Sequence, residues 1–180
     1  MRAFIAIDVG INEKIREIYE MLDKTKARLK LVEPKNIHLT IKFLGEIDSG
    51  MVEKIKNEME EAIREVEPFV AKLKGIGAFP NERRIRVIWI GFYDNGETIN
   101  ISKNIDERLV KYGFKKEKDF KPHVTIARMK GMEGKEEIRK IIDENKEKEF
   151  GKIKCQAIKL KQSILTPQGP IYKTIQEVSL

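Results

Sequence analysis

The chain has 180 residues, 41 % hydrophobic and 36 % charged, a composition expected to fold and stay soluble as one domain or one built from two lobes. No apolar run approaches the roughly 20 residues of a membrane helix, and a lone cysteine, Cys155, excludes an internal disulfide and a multi-cysteine zinc site. The net charge of +7 suits a polyanionic partner, and equally suits lysines dispersed over solvated helix faces.

Residues 2–8 read as a strand. Asp8 ends this apolar stretch too early for a signal-peptide core, so a cytoplasmic protein is expected. Residues 11–31 read as a helix, with Ile11, Ile15, Ile18, Leu22 and Leu29 near one face. Residues 37–44 alternate as a strand: Ile37, Leu39, Ile41 and Phe43 on one side, His38, Thr40, Lys42 and Leu44 on the other. Residues 51–66 carry a helical stripe. Strands follow at 69–78 and 84–92, separated by a turn at Pro80-Asn81; Gly75-Ile76-Gly77 lacks the remaining glycine of a dinucleotide fingerprint and reads as a strand bend. A helix at 97–111, a strand at 122–129, a helix at 134–147, a strand at 152–163 and a last strand at 171–179 complete the pattern. Cys155 reads as apolar filler in a strand, and the lysine-rich stretch 111–121 as a mobile basic loop at a groove's edge.

The second half repeats the first. His123 follows His38 by 85 positions, and at that offset Phe4 meets Trp89, Ile5 meets Ile90 and Leu73 meets Ile158. The pattern is a strand-helix-strand-helix-strand unit used twice, with repeat halves of about 1–83 and 84–180 in one two-lobed domain. Such a duplication is expected to pack about a pseudo-twofold axis, with equivalent strands facing across a central groove.

The chain's only two histidines both begin the pattern His-x-Thr. Side chains two apart on a strand share a face, so His38 joins Thr40 and His123 joins Thr125, each pair opposite an apolar face that packs on the core. Thr occurs six times in the chain, so both histidines acquiring this partner by chance has odds of roughly one in nine hundred. Two imidazoles titrating near pH ~6.5 suit acid–base catalysis, one neutral and one protonated. Thr hydroxyls suit hydrogen bonding to phosphoryl oxygens as charge develops there. A metal centre is disfavoured, because zinc wants three or four protein ligands and no His-x-His or His-Glu-x-x-His pattern occurs.

Three further residues are candidate substrate contacts. Lys42 shares the face of His38 and would balance phosphate charge. Arg128 falls opposite His123 under strict alternation, so a role for it needs a bulge or twisted strand end. Tyr172, like Phe79, would stack on a base, against the alternative of core packing.

The segments His38-Leu39-Thr40-Ile41-Lys42-Phe43-Leu44-Gly45 and Lys121-Pro122-His123-Val124-Thr125-Ile126-Ala127-Arg128 resemble the paired motifs of the two-histidine phosphoesterase superfamily. Within it the chain is most similar to the RNA 2′,3′-cyclic phosphodiesterase, or 2′-5′ RNA ligase-like, family. The opening Arg2-Ala3-Phe4-Ile5-Ala6-Ile7, the strand Arg86-Val87-Ile88-Trp89-Ile90-Gly91 and the closing Gly169-Pro170-Ile171-Tyr172 extend the likeness to nearly the whole chain.

The resemblance implies a bilobal α+β fold with antiparallel sheets around a central cleft. It implies metal- and cofactor-independent opening of a terminal 2′,3′-cyclic phosphate to a 2′-phosphate. His38 would be the proton donor, His123 the proton acceptor, and Thr40 and Thr125 the holders of the phosphate oxygens. Residue chemistry alone leaves the acid and base labels open, because the halves are nearly symmetric. The implied partner is RNA with cyclic phosphate ends, tRNA halves among them, and the protein is expected to be monomeric and free of membranes. Some relatives also join RNA through a 2′-5′ bond. The alternatives are a cyclic phosphodiesterase acting on a small nucleotide or ADP-ribose derivative, and a non-catalytic RNA-binding module.

Overall fold

Nine strands and four α-helices alternate along the chain, all 180 residues of which are described by a computed structural model. In order they are β1 (Arg2–Asp8), α1 (Glu13–Asp23), β2 (Leu29–Leu31), β3 (His38–Glu46), α2 (Met51–Ala62), β4 (Phe69–Asn81), β5 (Arg84–Tyr93), α3 (Glu97–Leu109), β6 (His123–Met129), α4 (Lys135–Glu144), β7 (Glu149–Cys155), β8 (Ala157–Thr166) and β9 (Gly169–Ser179). Every strand pair is antiparallel. The strand order is β7-β4-β5-β6-β3-β1-β8-β9, with β2 paired on β6. The fold is therefore α+β.

The order is symmetric about its centre. The motif strands β6 and β3 meet there, flanked by β5 and β1, the strands that open the two repeats. The third strand of each repeat crosses over: β4 pairs with β5, and β8 pairs with β1. At the centre β3 and β6 share one bridge, Leu39 with Val124. The sheet thus divides into two wings, β7-β4-β5-β6 with β2 added on β6 and β3-β1-β8-β9, which diverge at the motifs and open a cleft between them.

The helices present apolar stripes to the other side of the strands. Ile15, Ile18 and Leu22 of α1, Ile55 and Met59 of α2, Ile101, Ile105 and Leu109 of α3, and Ile138, Ile141 and Ile142 of α4 all join one cluster of 39 buried residues. Removing this much apolar surface from water is the main force closing the fold.

Three element boundaries differ from the sequence reading. The first helix stops at Asp23, short of 31. Its start is fixed by Asn12, whose Oδ1 accepts from the Ile15 amide at 2.9 Å. Thr25 closes the other end by donating its hydroxyl to the Leu22 carbonyl at 2.8 Å. Leu29 continues the helical spacing by coincidence; with Leu31 it alternates against Arg28 and Lys30, and that period of two is the one the chain adopts in β2. The strand read at 152–163 is two strands, β7 and β8, broken at Gln156. The turn placed at Pro80-Asn81 falls later, at Glu82-Arg83.

Gly75 does bend its strand. It has φ +77°, sits at a register shift between β4 and β5, and a Cβ there would lie 2.5 Å from the Lys146 carbonyl oxygen. Cys155 is buried at the end of β7, where burial raises its thiol to about 12.

Candidate active site

The cleft between the wings encloses about 500 Å³ and is lined by His38, Thr40, His123 and Thr125 together with Phe43, Phe79, Arg128 and Tyr172. The two motifs, distant in sequence, meet because Leu39 and Val124 bridge β3 to β6.

Each imidazole is fixed the same way. His38 Nδ1 lies 2.6 Å from the Asn36 carbonyl oxygen, and His123 Nδ1 lies 2.6 Å from the Lys121 carbonyl oxygen. A carbonyl can only accept, so both Nδ1 atoms carry hydrogen and both Nε2 atoms hold the basic lone pair in the neutral rings. His38 Nε2 lies 2.9 Å from the Thr40 hydroxyl, whereas His123 Nε2 has no protein partner.

Aromatic rings pack against each imidazole. Phe4 and Tyr172 lie 5.1 and 5.3 Å from His38, and Phe79 lies 4.9 Å from His123, centroid to centroid. Burial is the chief reason both imidazoles are held below their ordinary range. For His38 its carbonyl partner opposes this, as does Asp8, while Lys161 and His123 add to the lowering; for His123 the Lys121 carbonyl opposes and Arg128 adds.

A matched pair of bulges shifts the alternation of each motif strand just beyond its Thr. Against β1, Ala6 pairs with Thr40 and Ile5 with Lys42, leaving Ile41 extra. Against β5, Trp89 pairs with Thr125 and Ile88 with Ala127, leaving Ile126 extra. Ile41 and Ile126 are also 85 apart. An extra residue inverts the alternation beyond it. Arg128 is thereby exposed on the cleft side, the condition its role required.

The same bulge corrects the expectation for Lys42. It borders the cleft but is only 3 % exposed, and its ammonium is engaged beside α3 by Asp106 Oδ1 at 2.5 Å and the Lys115 carbonyl at 2.7 Å. It is not free to balance phosphate charge. In its place the bulge turns out Phe43, 67 % exposed at the cleft mouth.

The stretch 111–121 is likewise held by specific contacts. Asp106 Oδ2 accepts from the Glu117 amide at 2.7 Å, and the Lys115 carbonyl accepts from Lys42. Its cleft-lining residues, Glu117, Asp119, Phe120 and Lys121, are of mixed charge.

Sequence reasoning passed over Phe43 and Asn36. The offset that maps Phe43 onto Arg128 was a signal for the first. Asn36 is buried, its backbone orients His38, and its side-chain amide donates to the Pro170 carbonyl at 3.1 Å, which ties β9 and Tyr172 to the motif. No sequence pattern marked it. No group of three or more His, Cys, Asp or Glu side chains in the fold is arranged to hold a metal ion.

The half-open antiparallel sheet presents two imidazoles and two hydroxyls into one cleft, the groups that acid–base chemistry on a phosphoryl substrate would require. A family model described as LigT like Phosphoesterase matches residues 5–89 and 94–172. The chain is 46 % identical over 178 residues to a Methanocaldococcus jannaschii protein and 37 % identical over 179 residues to one from Methanothermobacter thermautotrophicus. Both are named RNA 2′,3′-cyclic phosphodiesterase, and the alignments cover 98 % of this chain and 99 % and 97 % of theirs. Among solved structures, TT0787 of Thermus thermophilus superposes with TM-score 0.82 at 25 % identity, covering 100 % of this chain and 98 % of its own. Escherichia coli LigT complexed with 3′-AMP shares the fold, at TM-score 0.75 and 20 % identity over 99 % of this chain and 97 % of its own. The chain belongs to the LigT-like phosphoesterase family.

Proposed function

We propose that the protein is an RNA 2′,3′-cyclic phosphodiesterase that works by a His/His acid–base pair without metal. The observation that supports this best is the common anchoring of both rings. Each gives its Nδ1–H to a backbone carbonyl and so keeps Nε2 for proton transfer in the cleft. Naming of full-length relatives supports the substrate.

In this reading water attacks phosphorus and gives a proton to His123 Nε2, which has no protein partner. The bond from phosphorus to O3′ breaks, and protonated His38 delivers Nε2–H to the leaving O3′. The products are a 2′-phosphate and a free 3′-hydroxyl, and the two imidazoles have exchanged protonation states. Thr40 and Thr125 donate hydrogen bonds to the phosphoryl oxygens as charge grows there. Arg128 adds a cation at the cleft wall, and Phe43 and Tyr172 offer aromatic surface to the base. If the nucleophile is instead the 5′-hydroxyl of a second RNA, the same acid and base form a 2′-5′ linkage. The reading includes tRNA halves among the substrates and a cytoplasmic, monomeric enzyme.

The test is incubation with RNA ending in a 2′,3′-cyclic phosphate, with chelator present, followed by mapping the product phosphate. A 2′-phosphate is expected. A 3′-phosphate would overturn the regiochemistry, and no turnover at all would overturn the activity.

A further inference from the structure

A second cationic feature borders the cleft beyond the histidines. In the ladder between β2 and β6, Lys30 lies directly opposite Arg128, and Leu29 opposite Met129. The pairing continues one step further, where the Lys130 amide donates to the Arg28 carbonyl at 2.6 Å. Alternation then sorts the ribbon by face. Leu29, Leu31 and Met129 pack against the core, while Arg28, Lys30, Arg128 and Lys130 are all exposed on the other face. The four cations form a grid about 7 Å along each strand and about 5 Å between strands.

This grid is costly to leave uncompensated. Like charges directly opposite across a ladder destabilise it. Yet none of the four pairs with a carboxylate. The only side-chain hydrogen bond among them is from Lys30 to the Gln168 carbonyl, at 3.0 Å. Several other strand lysines do find acids, Lys72 with Glu149, Lys74 with Glu147, and Lys159 and Lys161 with Asp8, while Lys152, Lys154 and Lys173 stand alone; only in the ribbon do four unpaired cations face one another across a ladder.

The ribbon also breaks the pseudo-twofold symmetry. At the offset of 85, residues 28–31 correspond to 113–116, which form no strand. The loop continuing from that position brings Glu117 and Asp119 to the cleft. The ribbon therefore lines the cleft with unpaired cations, Glu33 being the carboxylate beside them, whereas the corresponding loop brings mixed charge, Glu117 and Asp119 with Lys121.

An RNA whose 3′ end is seated at the histidines must leave through the 5′ oxygen of its terminal ribose. We infer that the β2–β6 ribbon holds the phosphodiesters on the 5′ side of the terminal nucleotide, so that Arg28, Lys30 and Lys130 select polymeric RNA over a mononucleotide. This rests on the cyclic phosphodiesterase reading and adds a direction and a substrate class to it. The grid presents unpaired charge at intervals that a single strand's successive phosphates can follow, and the corresponding position in the other repeat offers no such row of cations.

The test compares wild type with Lys30→Gln/Lys130→Gln and with a loop control, Lys116→Gln/Lys118→Gln. Each is assayed on adenosine 2′,3′-cyclic phosphate and on a short oligoribonucleotide ending in a 2′,3′-cyclic phosphate. For the ribbon variant kcat/KM on the oligonucleotide should fall about tenfold or more while the mononucleotide value is unchanged. The salt dependence on the oligonucleotide should flatten by about 1.4 in log–log slope, the change expected when two lysines no longer neutralise phosphates of a single strand. The loop control should behave as wild type. A loss shared equally by both substrates, no loss on either, or a selective loss in the loop control would each overturn the inference.

Binding of the unreactive oligonucleotide 2′-phosphate, read by fluorescence anisotropy, gives the same comparison without turnover. If neither cyclic substrate is cleaved by wild type, the enzymatic reading fails. A weaker oligonucleotide 2′-phosphate complex in the ribbon variant would still uphold the ribbon, and an unchanged one would overturn it.

Discussion

Leu39 and Val124 form the single backbone bridge between the two histidine-bearing strands, and each is the middle residue of its own His-x-Thr motif. They are 85 positions apart, so the pseudo-twofold axis passes between them. Antiparallel pairing extended one residue each way sets His38 towards Thr125 and Thr40 towards His123. A phosphate on that axis is equidistant from equivalent groups of both repeats. The position x is buried for this reason: it joins the wings while its neighbours on either side face the cleft.

Removing either imidazole is expected to remove proton transfer while sparing the fold. His38→Ala and His123→Ala should each lower kcat on a cyclic-phosphate RNA by about 10²–10⁴-fold. Thermal unfolding should change little, since both rings are only half-buried at the cleft surface. Wild-type rates with and without chelator should agree. Near-normal turnover in both variants would sink the acid–base assignment.

The direction of the histidine shifts sets the pH dependence. Both are lowered, by burial first. In kcat/KM the acid limb reports the base and the alkaline limb the donor, so both limbs should lie below the values that unperturbed imidazoles near pH ~6.5 would give. A bound phosphodiester anion favours the charged imidazole, so the alkaline limb of kcat should lie at higher pH than that of kcat/KM. Stability has the same origin. Below about pH 6.5 the unfolded chain takes up protons that the folded imidazoles refuse. Their contribution is present above that pH and lost as pH falls through the lowered folded values. Denaturant melts across this window should show the loss, and replacing both histidines with Gln should reduce it.

The buried Lys42–Asp106 pair makes a stability prediction with a sign that depends on how it is broken. Lys42→Met leaves a carboxylate without its ammonium and should cost about 3–5 kcal/mol, whereas Lys42→Met/Asp106→Leu should recover much of that loss. Proteolysis of the 113–121 segment should accelerate in both, because that segment is held by the Lys115 carbonyl and the Glu117 amide. Urea titration separates the two effects.

Residues turned out by the bulges should act on binding. Arg128→Ala is expected to raise KM about tenfold, by loss of a charge-assisted contact, on mononucleotide and oligonucleotide alike. Phe43→Ala should weaken binding by the stacking contribution of one base, about 1–3 kcal/mol. A fall in kcat with unchanged KM in either variant would contradict a purely binding role.

The spacing of the two motifs settled a great deal in advance. His38, Thr40, His123 and Thr125 do share one cleft, because alternation in a strand is a local property. The repeat offset was also readable, since it sets the order of elements. Tyr172 lines the same cleft, edge-on to His38. Two of the misreadings came from local patterns that tertiary pairing overrode. Leu29 prolonged a helical stripe but pairs in a strand with Met129. Lys42 fell on the histidine face by strict alternation, until a bulge against β1 turned it towards Asp106.

The sequence by itself therefore determined which four groups would meet and that they would come in equivalent pairs. Hydrophobic period and duplication are written residue by residue along the chain. Only the tertiary structure decided which later side chains enter the cleft, which lysine is buried in an ion pair, and that β2 joins one motif strand and not its counterpart. Those outcomes depend on register between strands far apart in sequence. A one-residue slip there reverses the faces of every side chain beyond it.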